Sequence, residues 1–403
     1  MIAQNKDFNY RLSILRQPAE WDDSRLRTRW AGLVEKSENI NAIYSSAVWF
    51  DLLRSKYSPT ELGIVVAYDR DGEVVGLAPV LFKDHPFQYY VGRYPIITRQ
   101  LKAAHVLGSV PMLPSDPAIS SQLLDLLFEA RVDCAYMDTV PADNSFVKRA
   151  LDTWRTSHFV YAPGGSRPWH MLQIPASSAE YLSRMSSKTR STLKKKAKKL
   201  AEAAGGELEL TRIDLANQVG PFLSEAVKVS RKSWQHEILG TRINDSDDDR
   251  VWGERLAAAG LMRSYLLKAG DRACAFVVGH QFNGVFHYVE LGYDRELSEY
   301  SPGTVLLHLL IQDLCDHQPP ATLNFGMGDA DYKRRFGNVQ TEDVSIVVLR
   351  KTLPNYVLIR SHALLRYLAR TARRIVTKIR KGAEGSGHVS TPLPALGANA
   401  RAR

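Results

Sequence analysis

Apolar and polar positions along the chain fall into two similar series. Leu62 to Ala67 is apolar, breaks at Asp69-Arg70-Asp71-Gly72 and resumes from Glu73 to Phe82, which predicts a hairpin. An irregular stretch, a helix near Ile119 to Arg131 and a strand from Cys134 to Thr139 follow. Later, Ser264 to Lys268, a Gly270-Asp271 turn, Ala273 to Phe282, an Asn283-Gly284 turn and Val285 to Tyr293 predict a second set of strands. A loop with Ser301-Pro302-Gly303-Thr304, a helix from Thr304 to His317 and a strand from Thr322 to Gly326 come next. The same order thus occurs twice, at a period too long for a solenoid. It predicts two copies of one α/β unit, the first degenerate.

Other segments fit around these copies. Tyr161 to Trp169 is rich in Gly and Pro and reads as a linker or loop. Tyr181 to Ala204 is helical, with Ser186 or Ser187 as cap and Gly205-Gly206 as stop. Pro221 to His236 gives a shorter helical pattern, and Asn355 to Lys381 a basic amphipathic one. The expected division is therefore a degenerate lobe over 1–160, a second lobe over 161–353, a basic helix over 354–381 and a disordered tail over 382–403.

A length of 403 residues suits two domains, and 44% hydrophobic with 24% charged residues is the balance of a globular protein. No apolar run approaches the roughly 20 residues that span a bilayer, and the N-terminus has no apolar core of a secretory signal. These features predict a cytoplasmic protein. Cys134, Cys274 and Cys315 are odd in number and widely spaced, which argues against a disulfide framework or a zinc site and for buried thiols. No metal is expected. The net charge of +10 calls for an acidic partner: a phosphorylated donor, a nucleic acid or an anionic membrane surface.

Candidate chemistry concentrates between Phe286 and Gly337. A loop that opens a helix turns free N–H groups toward its N-terminus, where an anion is the natural occupant. Ser301, Gly303 and Thr304 are the candidates there; the alternative is a plain helix start with Ser as cap and Pro near N1. Strict alternation would set His287, Val289 and Leu291 on one face of their strand and Tyr288, Glu290 and Gly292 on the other. Glu290 interrupts an apolar strand, which suits either a proton acceptor of raised pKa or a structural ion pair. The first copy offers Leu113-Pro114-Ser115-Asp116-Pro117 in place of the Ser-Pro-Gly loop, and its acidic Asp opposes a phosphate.

The pattern Tyr-Asp, Ser-Pro-Gly opening a helix, then Phe-Gly-x-Gly-Asp-x-x-Tyr-Lys resembles the acetyltransferase domain of the GNAT superfamily in cellulose and exopolysaccharide biosynthesis proteins, the CelD or BioF2-like group. That group is related to FemAB-type peptidyltransferases, which carry two GNAT-like halves. The match covers roughly residues 180 to 340 and rests on order and spacing together. It departs at Asn324, where the family usually has an acid.

The resemblance implies an α/β fold of tandem GNAT-like (acyl-CoA N-acyltransferase) lobes, with mixed central sheets flanked by helices. Acyl-CoA, most simply acetyl-CoA, is then the cosubstrate. Its arm enters between Val285–Tyr293 and Thr322–Gly326, and its pyrophosphate meets Ser301, Gly303 and Thr304. Glu290 accepts the amine proton and Tyr332 protonates the leaving thiolate, while Trp234, His287, Asp329 and Lys333 face the acceptor. The implied reaction carries an acyl group to an amine-bearing precursor, such as an amino sugar, of an envelope or exopolysaccharide.

Two rivals remain open. Lys188 to Lys199 carries seven cations without an acid, and FemAB-type proteins have a helical arm near this place that serves aminoacyl-tRNA. The third reading is a non-catalytic scaffold of a polysaccharide synthase, favoured by Asn324. The C-terminal helix, with Leu358, Leu365, Leu368, Ala372, Ile375 and Ile379 as an apolar stripe, either lies on an anionic inner membrane face or packs back on the catalytic lobe.

Overall fold

The computed structural model describes residues 9–92, 94–233 and 243–384. The chain divides into two compact units, residues 1–168 with 341–403, and residues 169–340. Each is a mixed sheet flanked by helices.

The first unit begins with β1 (Arg11–Leu15) and three short helices, α1 (Pro18–Trp21), α2 (Ser24–Glu35) and α3 (Ala47–Arg54). The hairpin of β2 (Leu62–Tyr68) and β3 (Val74–Val91) turns where Asp69 Oδ1 accepts from the N–H groups of Asp71 and Glu73, and Gly72 takes a left-handed φ of +79°. The stretch expected to be irregular is a second long hairpin, β3 with β4 (Tyr94–Val106), paired from Val80↔Val106 to Val91↔Tyr94. Pro86 and Pro95, residues that interrupt ladder hydrogen bonds, disguise it in the sequence.

Helix α4 (Pro117–Glu129), β5 (Cys134–Pro141), α5 (Ser145–Ser157) and β6 (His158–Tyr161) complete the first copy. The expected loop at Tyr161 to Trp169 instead ends one strand and opens another, β7 (Ser166–Gln173). The sheet of this unit runs β1-β2-β3-β4-β5-β13, where β13 (Val339–Arg350) comes from far along the chain and also pairs with β6. Ile346 and Val348 of β13 lie in the core with Leu123, Leu127, Met137 and Trp154. Residues 341–353, expected in the second lobe, therefore belong with the first, because Ile346, Val347, Val348 and Leu349 are buried there.

The second unit contains α6 (Ser178–Ser183), α7 (Ser187–Ala204), β8 (Leu208–Ile213), α8 (Ala216–Arg231), α9 (Asp247–Ala258), β9 (Ser264–Ala269), β10 (Arg272–Phe282), β11 (Val285–Tyr293), α10 (Pro302–Asp316), β12 (Thr322–Met327) and α11 (Asp331–Phe336). Its strands run β7-β12-β11-β10-β9-β8. Helix α7 starts at Ser186, whose side chain accepts from the Thr189 N–H, and stops at Gly205 in the left-handed region. Leu306, Leu310, Ile311 and Leu314 of α10 pack on Tyr265, Val277, Phe286 and Leu323 of the sheet. At the far end of α10 the buried Arg263 donates to the Asp313 carboxylate at 2.8 Å and to the His317 carbonyl at 2.7 Å, tying down the last turn.

The C-terminal helix, α12 (Leu353–Glu384), joins the first unit. Leu358 is buried beside Phe87 and Leu101. His362 is buried between Phe87 and Tyr89, with Nδ1 2.6 Å from Tyr161 Oη. The Arg366 guanidinium donates to the carbonyls of Ala162 and Gly164. The tail over 385–403 lies outside the described residues. All three cysteines are free and buried, and burial pushes Cys134 up to about 12 and Cys315 to about 11. Among the described residues no helix is long and apolar enough to cross a membrane.

Candidate active site

Strands β11 and β12 are parallel neighbours for three residues only, Val285–His287 against Thr322–Asn324. Beyond that point β11 stays on β10 and β12 stays on β7, so the two part in a fork. Each strand is bulged just past the divergence: Val278 faces Glu290 while Gly279 faces Tyr288, leaving Val289 as the extra residue, and Phe325 is skipped between Asn324 and Gly326. A bulge bends its strand and re-aims the side chains beside it. Gly279 is required here, because a Cβ would lie 2.4 Å from both the Arg263 carbonyl and the Phe286 ring.

The bulge also overturns strict alternation along β11. Phe286 and Tyr288 pack into the core before it, and Leu291 and Tyr293 pack against the same core after it. Tyr288, Glu290 and Gly292 therefore do not form one continuous face.

Aromatic rings close the base of the fork. The Tyr288 ring meets Phe325 at 5.8 Å and Tyr332 at 6.1 Å, and Tyr332 meets Phe325 at 6.1 Å. Tyr288 Oη is buried with no hydrogen-bond partner among the described residues. Burial, then the neighbouring Glu290 charge, pushes the Tyr332 phenol above its ordinary value. For Tyr288 the causes of an upward shift are burial, Tyr332 and Glu290 in that order. Both phenols stay protonated at neutral pH, beside a carboxylate.

The segment from β11 to α10 is fixed by Asp294, 2% exposed, which accepts from the Glu296 N–H at 3.0 Å and from Arg272 at 2.6 Å. Burial raises its pKa, but those hydrogen bonds outweigh burial and hold it below the ordinary value. Ser301 then takes a left-handed φ of +57° and makes no cap. Its Oγ instead accepts from Lys196 Nζ at 3.0 Å. Burial lowers the Lys196 pKa, and the nearby Arg335 charge lowers it further.

Thr304 and Val305 donate their N–H groups to the Ser301 carbonyl, at 3.0 and 3.2 Å. Pro302 has no N–H, so Gly303 is left with the unused donor of the first turn. Packing does not demand glycine there, since a Cβ would meet Tyr293 at an ordinary 3.5 Å. Unused N–H, helix dipole and two cations together make the start of α10 positive.

The late turn is held from within. Lys333 is 5% exposed and its Nζ donates to the carbonyls of Gly326 at 3.1 Å and Met327 at 2.7 Å. Its ammonium thus pins the turn. Asp329 pairs with Arg334 at 2.6 Å and lies 3.3 Å from His170 Nε2; the Arg334 hydrogen bond holds its carboxyl below the usual range. Asn324 sits at the fork itself: Oδ1 accepts from the Gly326 N–H at 2.8 Å, and Nδ2 lies 3.4 Å from Nδ1 of the buried His287. An amide supplies both an acceptor and a donor there, which an ionised carboxylate cannot.

The structure thus brings Glu290, Tyr332 and His287 to the fork, and Ser301, Gly303 and Thr304 to the helix start beside it. Trp234 lies outside the described residues. Lys196 and Tyr288 were not singled out from sequence. A signal for Lys196 existed: it shares a helix face with the buried Leu193 and Leu200, while the other cations of α7 are exposed.

The sequence profile of the acetyltransferase (GNAT) domain matches residues 187–334. A crystal structure of FemX aligns over 83% of this chain and 98% of its own at 14% identity, with a TM-score of 0.55, and shows a shared fold. A tandem GNAT protein from the clavulanic acid biosynthesis pathway aligns over 84% of this chain and 98% of its own at 13% identity, with a TM-score of 0.46. The C-terminal domain of a putative lysylphosphatidylglycerol synthetase from Agrobacterium fabrum aligns over 86% and 96% at 11% identity, with a TM-score of 0.48. Comparison with curated protein sequences gives no match. The fold is α/β, as expected, with a mixed sheet flanked by helices in each unit, and residues 187–334 of the second unit match the acetyltransferase (GNAT) domain.

Proposed function

We propose that the protein is an acyltransferase that moves an acyl group, most simply acetyl, from acyl-CoA to an amine-bearing precursor such as an amino sugar of an envelope polysaccharide. The observation that carries this reading is the fork between β11 and β12 opening beside the uncapped, positive start of α10. The pantetheine arm would lie in the fork, with its pyrophosphate at the Gly303 N–H, Lys196 Nζ, Ser301 and Thr304. The acceptor nitrogen attacks the thioester carbonyl and the C–S bond breaks. Glu290 takes the proton from nitrogen, and Tyr332 gives its own to the departing sulfur. His287 would face the acceptor. Asp329 and Lys333 shape the turn beneath it.

The alternative donor is an aminoacyl-tRNA. The exposed cations of α7 favour it, because a row of positive charge suits a polyphosphate backbone. A polysaccharide-synthase scaffold without chemistry is the third reading. Thermal unfolding separates the three. Acetyl-CoA at 100 times its Kd should stabilise the protein by about 2.7 kcal/mol, and Glu290→Gln should keep that shift while turnover falls about 10²-fold. A shift with charged tRNA and none with acyl-CoA would overturn the acyl-CoA reading. No shift with either ligand favours the scaffold.

A further inference from the structure

The C-terminal helix carries two apolar stripes where the sequence suggested one. The first, Leu358, His362, Leu365 and Ala369, turns toward the first unit, and Leu358 and His362 are fully buried. The second, Leu353, Val357, Leu364, Leu368 and Ile375, recurs at steps of four and seven and is wholly exposed. Leu364 keeps 59% of its surface open and Leu353 75%.

A second apolar feature is anchored to this helix. The β3–β4 hairpin packs on it through Tyr89 Oη, which donates to the Leu358 carbonyl at 3.1 Å, and through the Gln88 carbonyl, 3.2 Å from His362 Nε2. Its end presents Tyr90, Val91, Tyr94, Ile96 and Ile97 to solvent. Isolated exposed leucines are ordinary, but two linked clusters of this size are not.

Along the chain, the segments that carry both clusters have charge of one sign. No acid occurs from His85 to Ser115 or from Val344 to Ala383, whereas Arg99, Arg360, Arg370 and Arg373 lie in these segments. We propose that the exposed stripe of α12 and the end of the β3–β4 hairpin form one docking surface for an anionic phospholipid bilayer, with apolar side chains in the interface and arginines at the phosphates. Tyrosines at the hairpin end suit the headgroup level, where a ring with one polar end is favoured. A purely protein partner would leave the excess of arginine in these two segments unexplained.

The test uses the full chain in flotation with phosphatidylcholine vesicles, with and without phosphatidylglycerol. The protein should float only with phosphatidylglycerol and be released by high salt. Leu364→Glu with Leu368→Glu, and separately Ile96→Glu with Ile97→Glu, should each lower partitioning at least about tenfold with unchanged melting temperature, since these side chains are already in water. Three results would overturn the proposal: no flotation at low salt, variants that float like the parent, or a parent that sediments as a dimer while the variants are monomers. The last assigns the surface to a second copy of this chain.

Discussion

The two lobes solve the same local problem in opposite ways. In each, parallel strands diverge and a helix starts with proline beside them. In the first, β4 and β5 pair over Ala103–Val106 with Cys134–Met137, and past that point the buried hydroxyls of Ser109 and Thr139 bond each other at 2.9 Å and receive Asn41 Nδ2 at 2.9 and 3.3 Å. Ser109 and Thr139 hold left-handed φ values of +73° and +52°, costly for a β-branched residue, and the cluster persists because it seals the fork. At the start of α4, Asp116 Oδ1 accepts from the Ala118 N–H at 2.8 Å. The lobe supplies its own anion. In the second lobe the fork is lined by rings with an idle phenol, and the helix start has a lysine where the first has a carboxylate. The first copy ties its fork hydroxyls to Asn41 and gives its helix start an aspartate, and the second leaves the Tyr288 phenol without a hydrogen-bond partner and gives its helix start a lysine.

The largest expected effect concerns the sealed lobe. Asp343 on β13 is 2% exposed, and burial pushes it up to about 7, against a hydrogen bond from Thr341 and with help from the charges of Asp143 and Asp138. An unfolded aspartate titrates near 3.9, so between about pH 4 and 7 the native state holds a proton that the unfolded state has lost. Stability therefore falls as pH rises through that window and is flat above it. Asp343→Asn should remove the slope and raise stability at pH 8 by up to about 4 kcal/mol, measured by urea denaturation across pH. Acetyl-CoA affinity should not change. A variant that altered it would break the division into a passive and a binding lobe.

Next comes the open helix start. Lys196→Ala removes one charge-assisted contact, and such contacts contribute about 1.5–3 kcal/mol, so acetyl-CoA should bind roughly ten- to a hundredfold more weakly with a shallower salt dependence. Calorimetric titration at two ionic strengths checks this. Gly303→Val sharpens it further, since the fold tolerates a Cβ there and only the approach of a ligand to the backbone is blocked. Unchanged affinity in both variants would place the donor elsewhere.

Much of this contrast was legible in the residues. Asp116 against Ser301 is a difference of cap chemistry, and caps are read locally. The fork was legible only through the resemblance, because a bulge adds one residue without changing composition; nothing in Phe286–Tyr293 announces that Val289 is the extra one. Lys196 was hidden by six other cations around it, and Lys333 looked available because nothing local shows that two carbonyls of the preceding strand end receive it. The membership of β13 in the first lobe depends on contacts some 200 residues apart, such as Ser345 Oγ donating to Asp138 at 2.6 Å, and no local pattern reports those.

The smallest expected effect tests whether the lobes differ by this cap alone. Asp116→Ala removes the acceptor for the Ala118 N–H and should cost about 1 kcal/mol of stability, seen as a small drop in denaturation midpoint. Asp116→Ser keeps an acceptor, so most of that stability should return, and it takes away the charge. If the cap carried the whole difference, the serine variant would gain a second acetyl-CoA site. It should gain none, because the fork next to it is still closed by Asn41, Ser109 and Thr139, and opening it would strip three buried polar groups of their partners at roughly 1–3 kcal/mol each. A stoichiometry of two in the serine variant would show that the cluster is a lid and not a seal.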